Sequence, residues 1–154
     1  MVVKTLSKSE IKKVNESLKE LYGKDFLGKK DFVQLVDENF RYLVVNKVPC
    51  FFYYKDRLVP FLKFLYKEMF LKRVVVDMGA VKFVCNGADV MRPGVVDVDV
   101  SIREKEVVVV VDENNFKPLL VGEALFSGVE MKKLSDGPVI KNLHFVSDDK
   151  WTLA

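Results

Sequence analysis

Polar and apolar positions alternate with two different periods along this chain, and the change of period divides it. Ser7-Lys-Ser-Glu10 places a hydroxyl at a helix N-cap and a carboxylate three residues on, which is a capping box. Ile11, Val14, Leu18 and Leu21 then recur at helical spacing with lysines and glutamates between them, and Gly23 supplies the stop. After it come three β-rich runs, residues 32–36, 40–45 and 48–54, with polar breaks at 37–39 and 46–47. They predict an antiparallel meander. A turn at 55–57 leads to Pro60, which suits the first turn of a helix running to about Phe70, with Phe61, Leu62, Leu65 and Met69 on its apolar face.

From Arg73 the pattern shortens. Residues 74–76 are an all-valine strand, Asp77 is a good N-cap for a helix over 78–86, and Gly87 closes it. Short β-runs follow at 89–91, 95–102, 106–111, 118–126, 139–146 and 151–153, punctuated at 92–94, 112–115, 127–128 and 136–138. Many short strands after one early helix predict a compact β-barrel. The fold class expected is α+β, with a small α+β domain over 1–72 and a β-pseudobarrel over 73–154.

Charge sharpens the division. Residues 1–72 carry 15 Lys and Arg against 9 Asp and Glu, a balance of +6, while residues 73–154 carry 10 against 13, a balance of −3. The basic half can track a polyanion, and any anion contact in the acidic half must come from local placement. Apolar residues make up 49% of the 154 and charged residues 31%, which is enough to build a core without staples. Cys50 and Cys85 are too few for a disulfide scaffold and read as buried free thiols of a reducing compartment. No apolar run reaches the roughly 20 residues of a membrane helix, and the first ten residues lack the apolar core of a signal peptide.

Catalytic chemistry is poorly provided for. His144 is the only histidine and sits in an apolar strand, where a structural role is expected. Asp97 and Asp99 share a strand face without a third ligand nearby, and Asp148-Asp149 marks a turn. No catalytic residue, metal ligand or cofactor is therefore expected, and no glycine-rich phosphate loop is present.

The segment from Asp77 to Gly94 carries more information. Asp77, Gly79, Ala80, Gly87, Ala88, Pro93 and Gly94 together resemble the signature of the PUA domain, an RNA-binding pseudobarrel of pseudouridine synthases and archaeosine transglycosylases. The ending, with Asn142, His144, Asp148 and Trp151, is similar to that of the malignant T-cell-amplified (MCT) translation factors and their archaeal relatives. Pro60 and the Phe-Leu helix fit the pre-PUA domain of that family. The resemblance implies a cytoplasmic protein that binds structured RNA, tRNA or small-subunit rRNA, near the acceptor end of a P-site tRNA, in recycling or reinitiation. It also implies a protein partner on the N-terminal domain, which in eukaryotes is density-regulated protein. The competing reading is an accessory module that docks a protein partner and targets RNA modification.

The RNA face follows from the same residues. Gly79 and Ala80 leave backbone N–H groups open at a helix start, where a phosphate is favoured, although Asp77 uses some of those donors itself. Asn86, Gly87 and Ala88 allow a tight reversal, so the helix and the segment to Pro93 and Gly94 share one groove floor. Lys82 and Arg92 are placed on its rim, with Lys141 and Lys150 as flanking cations. Trp151 is expected to close the barrel as a core lid.

Overall fold

The computed structural model describes residues 1–153. In the N-terminal half, the elements are β1 (Val2–Thr5), α1 (Lys8–Tyr22), β2 (Val33–Asp37), β3 (Arg41–Val45), β4 (Val48–Tyr54), β5 (Arg57–Pro60) and α2 (Leu62–Lys67). The five strands form one antiparallel sheet in sequence order. The capping box is formed as expected: Glu10 N–H donates to Ser7 Oγ at 3.2 Å, and Ser7 N–H donates to Glu10 Oε1 at 3.0 Å. Ile11 and Leu18 of α1 are buried against Leu43, Phe51 and Leu58 of the sheet. Asn46 and Lys47, and again Lys55 and Asp56, have positive φ, which gives two-residue hairpin turns that match the twist of the strands they join.

The C-terminal half contains β6 (Arg73–Val76), α3 (Met78–Val84), β7 (Val90–Met91), β8 (Val95–Val98), β9 (Val107–Asp112), β10 (Pro118–Ala124), α4 (Gly128–Lys133), β11 (Pro138–Phe145) and α5 (Asp149–Leu153). Its six-stranded sheet has the order β7-β11-β10-β9-β6-β8, with β6 and β9 parallel and the other pairs antiparallel. Register shifts in most of these pairs curl the sheet around its core, because an extra residue on one strand bends it.

The valine run of β9 shows how the halves are joined. Val108 and Val110 point into the barrel with Val74, Leu120 and Ile140. Val107, Val109 and Val111 point the other way, into a second core with Val36, Phe52, Val59, Phe61, Leu62 and Leu65 of the N-terminal half. A strand with no polar alternation is one buried on both faces, and here the two faces belong to different cores.

Three local expectations are corrected, and one strand, β1, is additional to those expected. Pro60 ends the edge strand β5, where its missing N–H is tolerated, and the helix starts only at Leu62. Residues 2–5 form a strand although all four are exposed, because backbone pairing to β2 and not burial holds them. Residues 127–128 open α4, with Ser127 Oγ accepting from Glu130 N–H at 3.2 Å. Residues 149–153 are helical, because Asp148 caps them. In addition, Cys85 is only half-buried, and Asp99 lies beyond the end of β8, accepting from Ser101 in a turn, so it shares no strand face with Asp97.

Phe61 is fully buried in the shared core. Phe61→Ala is expected to cost about 3–5 kcal/mol. Unfolding should stay a single transition, seen alike by far-UV circular dichroism and by Trp151 fluorescence, because the core it disrupts belongs to both halves.

Candidate nucleic-acid interface

α3 begins where β6 ends. Asp77 Oδ1 accepts the Ala80 N–H at 2.9 Å, and Glu113 Oε2 accepts the Met78 N–H at 3.1 Å. Two carboxylates therefore occupy this helix start, and it is not the open phosphate cradle that the sequence suggested. At the other end, Asn142 of β11 donates from Nδ2 to the carbonyls of Val84 and Ala88, at 3.0 and 2.9 Å. That clamp holds the Asn86–Ala88 reversal, where Gly87 has φ +96° and a Cβ would press on the Phe145 ring at 3.2 Å.

The helix and the following strand enclose a groove of about 710 Å³, lined by Asp77, Gly79, Ala80, Phe83, Val84, Ala88, Asp89, Met91, Pro93, Gly94 and Pro138. Its floor is tight: a Cβ on Gly94 would stand 3.0 Å from that of Ala80. The structure thus brings Gly79, Ala80, Ala88, Pro93 and Gly94 together around one space, with Asn86 and Gly87 in the loop that closes it. Phe83 is 60% exposed and Met91 49% exposed, so the wall presents apolar surface to solvent. Sequence reasoning did not single out Phe83. Its signal was available, because Val81, Val84 and Cys85 define the buried face of α3 and Phe83 falls outside it.

The expected cations are placed differently. Lys82 is exposed on α3, its Nζ 5.7 Å from the Phe83 ring centre. Arg92 is half-buried and turned inward: Nε donates to Met131 O at 2.6 Å and Nη1 to Val95 O at 3.2 Å. It ties α4 to the barrel and does not stand free on a rim. Lys141 and Lys150 do not line the groove. Lys141 Nζ lies 5.5 Å from the Tyr54 ring centre, and Lys150 Nζ lies over Phe40 and Phe52 at 4.8 and 5.1 Å, so both face the N-terminal half.

The junction between the halves has one buried polar chain. His144 is buried beneath Phe52 and Phe61. Its Nε2 accepts the Leu62 N–H at 3.0 Å, and its Nδ1 lies 2.9 Å from both Asp148 oxygens. The pattern requires a proton on Nδ1 and a lone pair on Nε2, a structural histidine. Asp148 also accepts from the N–H groups of Phe145 and Trp151, at 2.9 and 2.8 Å. Burial pushes the Asp148 carboxyl up, but the hydrogen bond from His144 and these N–H donors outweigh it and hold the group below the usual carboxylate range. Trp151 is half-buried at the edge of the shared core, edge-on to Tyr66.

A model of the PUA domain matches residues 72–146, and a model of a domain of unknown function (DUF1947) matches residues 4–68. An uncharacterized protein of Methanocaldococcus jannaschii is 45% identical over 95% of this chain and 93% of its own. Translation machinery-associated protein 20 of Saccharomyces cerevisiae is 30% identical over 84% of this chain and 77% of its own. The chain belongs to the PUA family of translation machinery-associated protein 20 and malignant T-cell-amplified sequence 1. A crystal structure of a hypothetical protein from Pyrococcus horikoshii shares the whole architecture of this PUA protein, with a TM-score of 0.85, 36% identity and 99% coverage of each chain. The groove lies entirely within the PUA portion, and His144 and Asp148 fasten that portion to the other.

Two outcomes follow for this PUA protein. Because the folded Asp148 carboxyl is held below its unfolded value of about 3.9, the stabilisation it gives is complete above that pH. It is lost as pH falls through the folded value. Urea unfolding from pH 7 down to 3 should show this loss, and Asp148→Asn should lower stability at neutral pH by about 1.5–3 kcal/mol and flatten the acid limb. Arg92→Ala should cost about 1–3 kcal/mol in the same assay, since it removes the guanidinium bonds to Val95 O and Met131 O, the latter keeping only the Leu134 N–H at 3.3 Å.

Proposed function

We propose that this protein binds structured RNA as a non-enzymatic factor of the translation machinery, seating a terminal or looped nucleotide in the α3 groove. The carrying observation is the groove itself: small residues on its floor, an exposed phenyl ring on its wall, and two carboxylates at its margins. A nucleobase stacks on an exposed aromatic face, and carboxylates accept hydrogen bonds from the exocyclic amines of cytosine and adenine. Asp77 and Asp89 each use one oxygen on an internal N–H, from Ala80 and Asn142 respectively. Their second oxygens are the acceptors assigned to a base.

A groove with this lining takes a base better than a phosphate. The strand's phosphates run outside it, along Lys82 and toward the basic N-terminal half. This reading fits an unpaired tRNA acceptor end on the small ribosomal subunit in the cytoplasm, with the N-terminal half facing rRNA or a protein partner. Kinship with translation machinery-associated protein 20 supports the setting.

Phe83→Ala should test it. The side chain is mostly solvent-exposed, so stability should change by no more than about 0.5 kcal/mol. Affinity for bulk deacylated tRNA should fall by about 1–3 kcal/mol, the usual value of one base–aromatic stack. Unchanged tRNA affinity in a folded Phe83→Ala protein would remove the groove from the RNA site.

A further inference from the structure

The two hairpin pairs that meet at the junction hold a cluster of two lysines that form no close ion pair among the described residues. On β4–β5, Tyr54 is paired with Arg57, and on β10–β11, Glu123 is paired with Lys141. The pairs face one another across the junction. Arg57 and Glu123 form a half-buried ion pair, and Arg57 Nη1 also donates to Lys105 O at 2.6 Å, which fixes the hairpin against the barrel. The Tyr54 ring is thereby set beside Lys141, whose Nζ lies 5.5 Å from its centre, and beside Lys55 at the hairpin tip, at 5.4 Å.

Neither Lys55 nor Lys141 forms an ion pair among the described residues. Of the nearby acids, Glu123 is paired with Arg57 and Asp56 with Arg41, while Asp89 accepts the Asn142 N–H with one oxygen only. The cluster also polarises the phenol. Hydrogen bonding from Lys141, with the charges of Lys141 and Lys55, holds the Tyr54 hydroxyl below the ordinary tyrosine range. Tyr54 in turn raises Lys141, and the charges of Glu123 and Asp89 raise it further. Two ammonium groups on opposite halves of the chain thus converge on one phenol. Lys141 directly precedes Asn142, the residue that clamps the groove's closing loop and meets Asp89 on its wall.

We propose that Lys55 and Lys141, held around Tyr54 by the Arg57–Glu123 pair, bind a backbone phosphate of the RNA strand whose end occupies the α3 groove. The site is built jointly by the two halves, so RNA contact is not confined to the PUA portion. It rests on the RNA reading of the groove. The Tyr54 hydroxyl adds a donor to the same oxygen, and the single negative charge of the phosphodiester offsets the repulsion between the two ammonium groups.

The test is the salt dependence of bulk tRNA binding to the full chain, measured by filter binding across a KCl series. In the double variant Lys55→Gln/Lys141→Gln, Kd should rise several-fold and the log–log slope should fall by about 0.7–0.9 for each phosphate that is no longer neutralised. Phe83→Ala should weaken binding with the slope unchanged. A charge-matched control on α1, Lys12→Gln/Lys13→Gln, should keep the wild-type slope. If the Lys55/Lys141 variant keeps the wild-type slope while Phe83→Ala weakens binding, the phosphate site is wrong and the groove reading stands. Equal falls in slope for the two lysine pairs would mean diffuse attraction and would also overturn the site. Absence of tRNA binding by the wild-type chain at low salt would sink the RNA reading, and this site with it.

Discussion

The first N–H of helix α2 is buried and has no capping side chain from its own segment, because Phe61 stands at the N-cap. A buried amide without an acceptor costs about 1–3 kcal/mol, and here the acceptor comes from His144, 82 residues further along the chain. That bond depends on Asp148, which holds the imidazole proton on Nδ1 and leaves Nε2 free to accept. The same carboxylate caps α5 and so places Trp151 against the shared core. One hydrogen-bonded chain, Leu62–His144–Asp148–Trp151, therefore sets the orientation of the two halves. The valines of β9 and the phenyl rings of β4 and α2 supply the burial around it.

A fixed junction has a consequence for function. The hairpin carrying Tyr54 and Lys55 could not meet β10–β11 reproducibly if the halves moved freely, and the groove of α3 would then act alone. With the shared core in place, Lys141 and the hairpin tip stand together on a chain whose charge is otherwise split +6 and −3 between the halves. The acidic balance of the PUA portion is no obstacle to RNA contact on this view. On the proposed reading its carboxylates at the groove would accept from base amines, and the phosphates would be met where the basic half begins.

Elements with strong local signals were legible in the sequence. The capping box at Ser7 and Glu10, the N-cap at Asp77 and the αL glycine after α1 act within one turn, so spacing alone reveals them. The groove floor was legible for the same reason, since Gly79, Ala80, Pro93 and Gly94 have little freedom in where they can pack. Elements fixed by distant partners were not legible. β1 is exposed and exists because β2 offers it an edge. Pro60 looked like a helix start, but its pairing with Phe51 makes it the last residue of the strand. The direction of Arg92 could not be read, because one of its two acceptors, Met131 O, lies on α4, nearly 40 residues away in sequence. Lys141 and Lys150 were read as flanks of the groove, whereas the N-terminal aromatics draw both of them to the junction. Tyr54 and Lys55 carried no signal of their own and acquire one only when β11 is set beside them.

The central claim is that the α3 groove is where RNA touches the protein. Ultraviolet crosslinking of the full chain to bulk tRNA, with the modified peptides located by mass spectrometry, addresses it without any substitution. The account requires crosslinks at Phe83 and Met91 on the groove wall, joined by Tyr54 across the junction. Crosslinks confined to α1 and the outer strands of the N-terminal sheet, with none in residues 77–94, would contradict it.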